Sequence, residues 1–261
     1  MNHKSVSGER MLEVDGLSKR FGVQTVIDGL SFALPKGDRM AISAPSGSGK
    51  TTLIKILSGL EEADGGSFSL EADNPVTVFQ EPRLFPYMTV EENALLPLKV
   101  GGLPRAGQVM ERYEAWLAVC GLAPHRGRYP HELSGGMKQK VALVRGFVTD
   151  PDFVMLDEPF KSIDAAGKVA IIEHILERHA GATLLLVTHD AEEARRLARS
   201  ALVFSSGPLA GHTLCGAIPP KTIPPKTIPH GAIPPRALQP RCPDERCRVP
   251  SEQVRTYEYL S

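Results

Sequence analysis

"RMAISAPSGSGKTT", residues 39–52, runs from a short apolar stretch through a glycine-rich loop into a helix-forming segment. From Ala44 onward it follows the pattern G-x-x-x-x-G-K-[ST], with Ala where the pattern has its first Gly. Ser46, Gly47, Ser48 and Gly49 suit a loop that turns successive backbone N–H groups inward, making an anion cradle at a helix start. In such a loop Lys50 reaches the β- and γ-phosphates of a nucleotide and Thr51 offers its hydroxyl to Mg²⁺, with Thr52 beside it in the first helical turn. Leu53, Ile54, Ile56, Leu57 and Leu60 give the helix a broad apolar face. Ala44 poses a question. At a backbone position with φ > 0 it costs about 1–2 kcal/mol; where only a small side chain is needed it is nearly neutral.

Working outward, short apolar runs alternate with helical patterns from Met11 to about Ser205, the signature of an α/β domain with a largely parallel sheet. Arg39–Ser43, Phe153–Leu156 and Leu184–Val187 read as buried strands, each ending in polar residues, and ligands of open α/β sheets sit at such strand ends. Leu12–Val14, Ser31–Leu34, Ser67–Leu70 and Val76–Phe79 read as shorter, antiparallel edge strands. Residues 84–145 turn helical, most clearly over Glu111–Cys120, and form an insert on the main sheet.

Two further stretches carry chemistry. In "FVMLDEPF", 153–160, an apolar strand delivers Asp157 and Glu158 at its end. A strand-end Asp is placed to hold Mg²⁺ through oxygen, and Glu158 to face the water that attacks a γ-phosphate. The bland reading is a solvated acidic turn. In "LSGGMKQKVALVRG", 133–146, Ser134 caps a helix while Gly135 and Gly136 permit close backbone approach. That makes a second anion site from N–H groups and the helix dipole. One γ-phosphate needs one such cradle, so the second is assigned to the nucleotide of another subunit.

Over residues 11–205 these motifs, in this order, resemble the ATP-binding subunits of ABC (ATP-binding cassette) transporters. "LSGGM" matches the family's signature sequence, and "VFQEPRLFPYMTVEEN", 78–93, supplies Gln80 at the loop entering the helical insert. "KSID" gives Asp164 at the dimer contact, "LLLVTHD" gives His189 as the switch histidine, and Phe21 in "LSKRFG" falls where the family stacks an aromatic on adenine. A core phenylalanine and a structural histidine are the plain alternatives. The resemblance implies a P-loop ATPase domain with a mixed sheet, antiparallel edge strands and a helical subdomain. It implies catalytic roles for Glu158, His189, Gln80 and Lys50. ATP would lie against Phe21, the 46–52 loop, Ser134–Gly136 and Asp164, with Mg²⁺ held by Thr51, Gln80 and Asp157. It also implies a head-to-tail homodimer beneath integral membrane permease subunits, at the cytoplasmic face of the membrane, served by an extracytoplasmic substrate-binding protein. Met137 replaces the commoner Gln after "LSGG", and "LSGGM" also recurs in the branch resembling importers of nitrate, sulfonates and taurine.

The rest of the chain bounds this reading. Of 261 residues 42% are hydrophobic, enough for one good-sized core, and 30 Lys and Arg balance 30 Asp and Glu. That balance points to neither nucleic acid nor an anionic lipid surface. No apolar run approaches the roughly 18 residues of a membrane helix, and Met1–Leu12 lacks the apolar core of a secretory signal. Four scattered cysteines read as reduced thiols of a soluble cytosolic protein. Residues 1–10 read as a flexible start, and 206–261 as a low-complexity tail carrying "IPPKTIPPKTIPHGAIPPRA", a proline repeat that is extended and solvated. "CPDERC", 242–247, offers two thiols, half a structural zinc site. Two other classes compete: a soluble ABC-type ATPase of DNA repair or translation, and a P-loop small-molecule kinase. The first usually has a second cassette or a coiled-coil insert, and the second leaves "LSGGM", Gln80 and His189 without a task.

Overall fold

Three short strands are buried on both faces, and their alternating side chains divide the interior in two. Along Phe153–Asp157, Phe153 and Met155 join one apolar cluster while Val154 and Leu156 join another. Arg39–Ser43 and Thr183–Val187 split likewise: Met40, Ile42, Leu185 and Val187 face the first cluster, Ala41, Leu184 and Leu186 the second. The period of two in a strand makes each face build its own core.

The structure, a computed structural model, describes residues 9–101, 107–204, 208–212 and 254–258. The proline repeat and "CPDERC" lie outside the described residues. In chain order the strands are β1 (Arg10–Phe21), β2 (Gln24–Pro35), β3 (Arg39–Ser43), β4 (Gly65–Leu70), β5 (Pro75–Val78), β6 (Phe153–Asp157), β7 (Thr183–Val187), β8 (Ser200–Phe204), β9 (Leu209–His212) and β10 (Val254–Glu258). The six-stranded sheet has the order β10-β8-β3-β7-β6-β5 and is parallel except where β10 meets β8. A second sheet, β4-β1-β2-β9, pairs β1 antiparallel to both neighbours and β9 parallel to β2.

The antiparallel strands expected near residues 12, 31 and 67 therefore form a sheet of their own. The run 76–79 departs from the expectation. As β5 it lies parallel to β6, because the helical insert between them is a crossover that returns the chain in the same direction. Beyond residue 205, where the sequence suggests only an extended tail, β9 and β10 add strands to both sheets. Val254–Glu258 is rich in the β-branched and aromatic residues that suit a strand.

Helices cover the sheet. They are α1 (Lys50–Leu57), α2 (Val90–Ala94), α3 (Leu96–Val100), α4 (Gly107–Cys120), α5 (Gly135–Phe147), α6 (Ala165–Arg178) and α7 (Ala191–Leu197). α1 shares one core with the antiparallel sheet; α2 to α7 contribute to the other, around Trp116 and Phe147, whose rings stack 4.9 Å apart. Leu60 falls outside the apolar face assigned to it. α1 stops at Leu57, Gly59 turns left-handed (φ +71°), and Leu60 N donates to Lys55 O at 2.8 Å, leaving its side chain 57% exposed.

β10 covers the β8 edge, and an uncovered edge strand invites pairing with other chains. Removing residues 250–261 is expected to lower the melting temperature, by about 2–4 °C for each kcal/mol of lost pairing, and to promote aggregation. Differential scanning calorimetry with light scattering checks this, and an unchanged melt would show that the β8 edge does not need its cover.

Candidate functional site

The order β3-β7-β6 sets three strand ends side by side, and the polar residues that follow each strand meet there. β3 leads into residues 44–49, β7 into Thr188 and His189, and β6 ends at Asp157 with Glu158 next. A cleft of about 500 Å³ opens at this rim, with Phe21, Gln80 and His189 among the residues that line it. Of the residues expected to bind nucleotide, Ser46, Gly47, Gly49, Lys50, Thr51, Thr52, Asp157 and Glu158 all line it. Ser48 does not; its hydroxyl is buried without a partner, while its carbonyl accepts from Leu209 N (3.2 Å) and so ties the loop to β9.

Glycine is required at two loop positions for different reasons. Gly47 is left-handed, at φ +80°. Gly49 is left-handed too (φ +99°), and a Cβ there would overlap the Val26 carbonyl of β2. Ala44 is neither: it is absent from the left-handed residues and packs into the core beside α1. The sequence question is thus answered in favour of a small buried side chain on ordinary backbone. Lys50 Nζ donates to Ala44 O (2.7 Å) and Pro45 O (2.9 Å), curling across the loop, and burial lowers its pKa.

Asp157 is 1% exposed, and among the described residues neither of its carboxylate oxygens has a hydrogen bond of ordinary geometry. Burial raises its pKa, with the Thr51 hydroxyl partly opposing the shift. A buried carboxylate with open lone pairs beside a threonine hydroxyl fits a hard cation such as Mg²⁺, which takes one or two protein oxygens and leaves its other positions to phosphate and water. Glu158 is a non-glycine residue at φ +46°, a strained conformation held by its own N–H donating to Val187 O (2.8 Å). Its two oxygens lie 2.8 and 2.7 Å from His189 Nδ1, which donates to them.

Behind His189 stands a set of charges that the sequence alone does not single out. Glu193 is 3% exposed and accepts from Thr188 Oγ1 (2.6 Å) and Lys168 Nζ (2.6 Å). Lys168 also donates to Asp190 (2.9 Å), and Asp190 caps α7 by accepting from Glu192 N and Glu193 N. Burial pushes the Glu193 pKa up, against the pull of Lys168 and Thr188. The residues on both sides of His189 are thereby fastened to α6. Their only sequence signal is the helical spacing of Asp190 and Glu193. Lys161, also unremarked in the sequence, lines the cleft itself.

The residues of the second expected anion site lie elsewhere. Ser134 caps α5, its hydroxyl accepting from Met137 N (3.2 Å), and a Cβ on Gly136 would overlap the Ser162 carbonyl. Asp164 caps α6 by accepting from Gly167 N (3.0 Å); this bond, with Lys140 nearby, holds its pKa below the usual carboxylate range. None of Ser134, Gly135, Gly136 or Asp164 lines the cleft. Phe21 is 48% exposed in the cleft wall, with the Lys19 ammonium 5.2 Å from its ring centre.

Gly49→Ala is expected to abolish nucleotide binding, because the methyl group has no space and the backbone no easy conformation. Ala44→Gly should change affinity by less than about tenfold, or 1.4 kcal/mol. Titration with a fluorescent nucleotide separates the two, and a large gain in Ala44→Gly would show the native loop to be impaired.

Residues 27–161 match the family model described as ABC transporter. An aliphatic sulfonates import ATP-binding protein of Pseudomonas syringae pv. syringae is 39% identical over 215 residues, covering 80% of this chain and 76% of that protein. One of the same description from Bacillus cereus is 35% identical over 210 residues, covering 76% and 82%. Among solved structures, an ATP-binding subunit of an ABC transporter aligns with a TM-score of 0.68 at 30% identity, covering 74% of this chain and 85% of that one. A dimeric bacterial ABC transporter cassette aligns with a TM-score of 0.66 at 25% identity, covering 77% and 100%. With its glycine-rich loop, strand-end carboxylates and capped α5 on this sheet order, the chain belongs to the ABC transporter family, as an ATP-binding ATPase subunit.

Proposed function

We propose that this chain is the ATP-hydrolysing, energy-coupling subunit of an importer for a small organic anion, with sulfonates the leading class. The observation that carries the ATPase chemistry is the orphaned Asp157 carboxylate beside Thr51, at the mouth of the 44–52 loop and next to Glu158. Support for import, and for sulfonates, comes from the relatives named as sulfonate import ATP-binding proteins.

In this reading Gly47, Gly49 and the first turn of α1 wrap the phosphates with backbone N–H groups, and Lys50 turns from its two carbonyl partners to the β/γ-phosphates. Phe21 stacks on the adenine. Asp157 and Thr51, with Gln80 at the same rim, would hold Mg²⁺, which would supply neutralisation of phosphate charge. Glu158 orients the attacking water and takes its proton. It is engaged by His189 in the present arrangement, so the imidazole must turn toward the γ-phosphate before the carboxylate is free.

Ser134, Gly135, Gly136 and Asp164 do not line this chain's own cleft, which fits their service to the nucleotide of a second copy. Two copies facing head to tail close over two ATP molecules and reopen after hydrolysis, a two-state contact biased by the γ-phosphate. Among the described residues no helix is long and apolar enough to cross a membrane. The description of the relatives as import ATP-binding proteins supports a place at the cytoplasmic face, held there by permease subunits that an extracytoplasmic binding protein supplies with solute.

Glu158→Gln is expected to keep ATP binding, slow turnover on the order of 10²–10⁴-fold, and accumulate an ATP-bound dimer visible by gel filtration. Normal turnover in that variant would remove Glu158 from its role. Affinity capture from detergent-solubilised membranes should bring down a polytopic partner. Recovery of the chain without one would favour a soluble ATPase of the same family.

A further inference from the structure

Among the described residues, the cleft is lined by one cation for which the mechanism above has no use. Lys161 lines it together with Lys50, Thr51, Glu158 and His189, and its side chain is exposed. Among the described residues no carboxylate pairs with it. It stands on the same turn as Glu158: Lys161 N–H donates to Glu158 O (3.4 Å), Ile163 N–H donates to Phe160 O (3.0 Å), and the fully buried Phe160 ring anchors the turn. The backbone at Lys161 is therefore fixed relative to the Glu158 carboxylate, while the flexible stem reaches into the cleft.

Charge balance gives that position meaning. The cleft is lined by the carboxylates Asp157 and Glu158 against the ammonium groups Lys50 and Lys161. Lys50 is already hydrogen-bonded to two loop carbonyls. Without Lys161 the lining side chains sum to a net negative charge, an unfavourable surround for a polyphosphate even with its metal. With it they sum to zero. An unpaired ammonium at the rim also meets little competition from neighbouring acids when an anionic oxygen arrives.

We propose that Lys161 is a second phosphate-binding cation of this site, reaching the terminal phosphate of the bound nucleoside triphosphate from the turn that follows β6. The proposal rests on the reading of the cleft as an ATP site. It makes Lys161 a discriminator of triphosphate from diphosphate, since it lines the cleft together with Glu158 and His189, the two residues that the proposed mechanism turns toward the γ-phosphate. The bond would form as ATP enters and be lost with the released phosphate.

The test is equilibrium titration of the full chain with fluorescent ATP and ADP, each with Mg²⁺, alongside thermal melts to confirm folding. Lys161→Ala is expected to weaken ATP about tenfold while changing ADP less than about twofold, and Lys161→Arg to retain most of the ATP affinity. Raising ionic strength should narrow the gap between wild type and Lys161→Ala. Wild-type protein that binds both nucleotides, with a Lys161→Ala variant that keeps the same ATP-to-ADP preference, overturns the role of Lys161 alone. Wild-type protein that binds neither nucleotide sinks the ATP reading and this proposal with it.

Discussion

The hydrogen-bonded ladder that seats β7 between β3 and β6 aligns three strand ends from distant parts of the chain. Each end brings one group of residues to the cleft: the glycine-rich loop, His189, and the Asp157–Glu158 pair. Because all three strands run parallel and are buried on both faces, their ends cannot slide relative to one another without disturbing two cores at once. The site is therefore as rigid as the sheet beneath it. That rigidity explains how a strained Glu158 and an unsatisfied Asp157 are tolerated where they stand.

α5 gives the rim a second connection. Its N-terminus presents Ser134 and lies against the Ser162 carbonyl, close enough to require glycine at 136. Further along, Gln139 Nε2 donates to Phe79 O (3.3 Å), and Arg145 donates to Arg83 O (2.9 Å) and Pro82 O (2.7 Å), so the loop carrying Gln80 hangs on the same helix. Asn93 holds the next segment through Phe85, Met88 and Thr89. A displacement of Gln80 at the cleft thus has a direct mechanical route to α5 and to Ser134 at its N-terminus.

The charges behind His189 work by desolvation as much as by attraction. Glu193 is buried deeply enough that its charge is unfavourable alone, and Lys168 with the Thr188 hydroxyl satisfies it. Removing one partner would strand the others, so the three act as a single brace between α6 and the strand end. Lys161, in contrast, has no such partner among the described residues.

The sequence by itself determined the local pieces. The period of two marked β3, β6 and β7; the spacing from Ala44 to Thr51 marked a glycine-rich loop leading into a helix; Ser134 and its glycines marked a capped helix. These features are set within a few residues of one another, by backbone freedom and side-chain alternation. Tertiary structure alone decided the rest. It separated the antiparallel strands into their own sheet, laid β5 parallel to β6, recruited β9 and β10 from beyond the expected domain end, and resolved Ala44 by giving it ordinary backbone. Lys168, Glu193 and Lys161 gained their places in the same way. Strand order and burial arise from pairings between residues far apart in the chain, and a local pattern carries no record of which distant partner completes it.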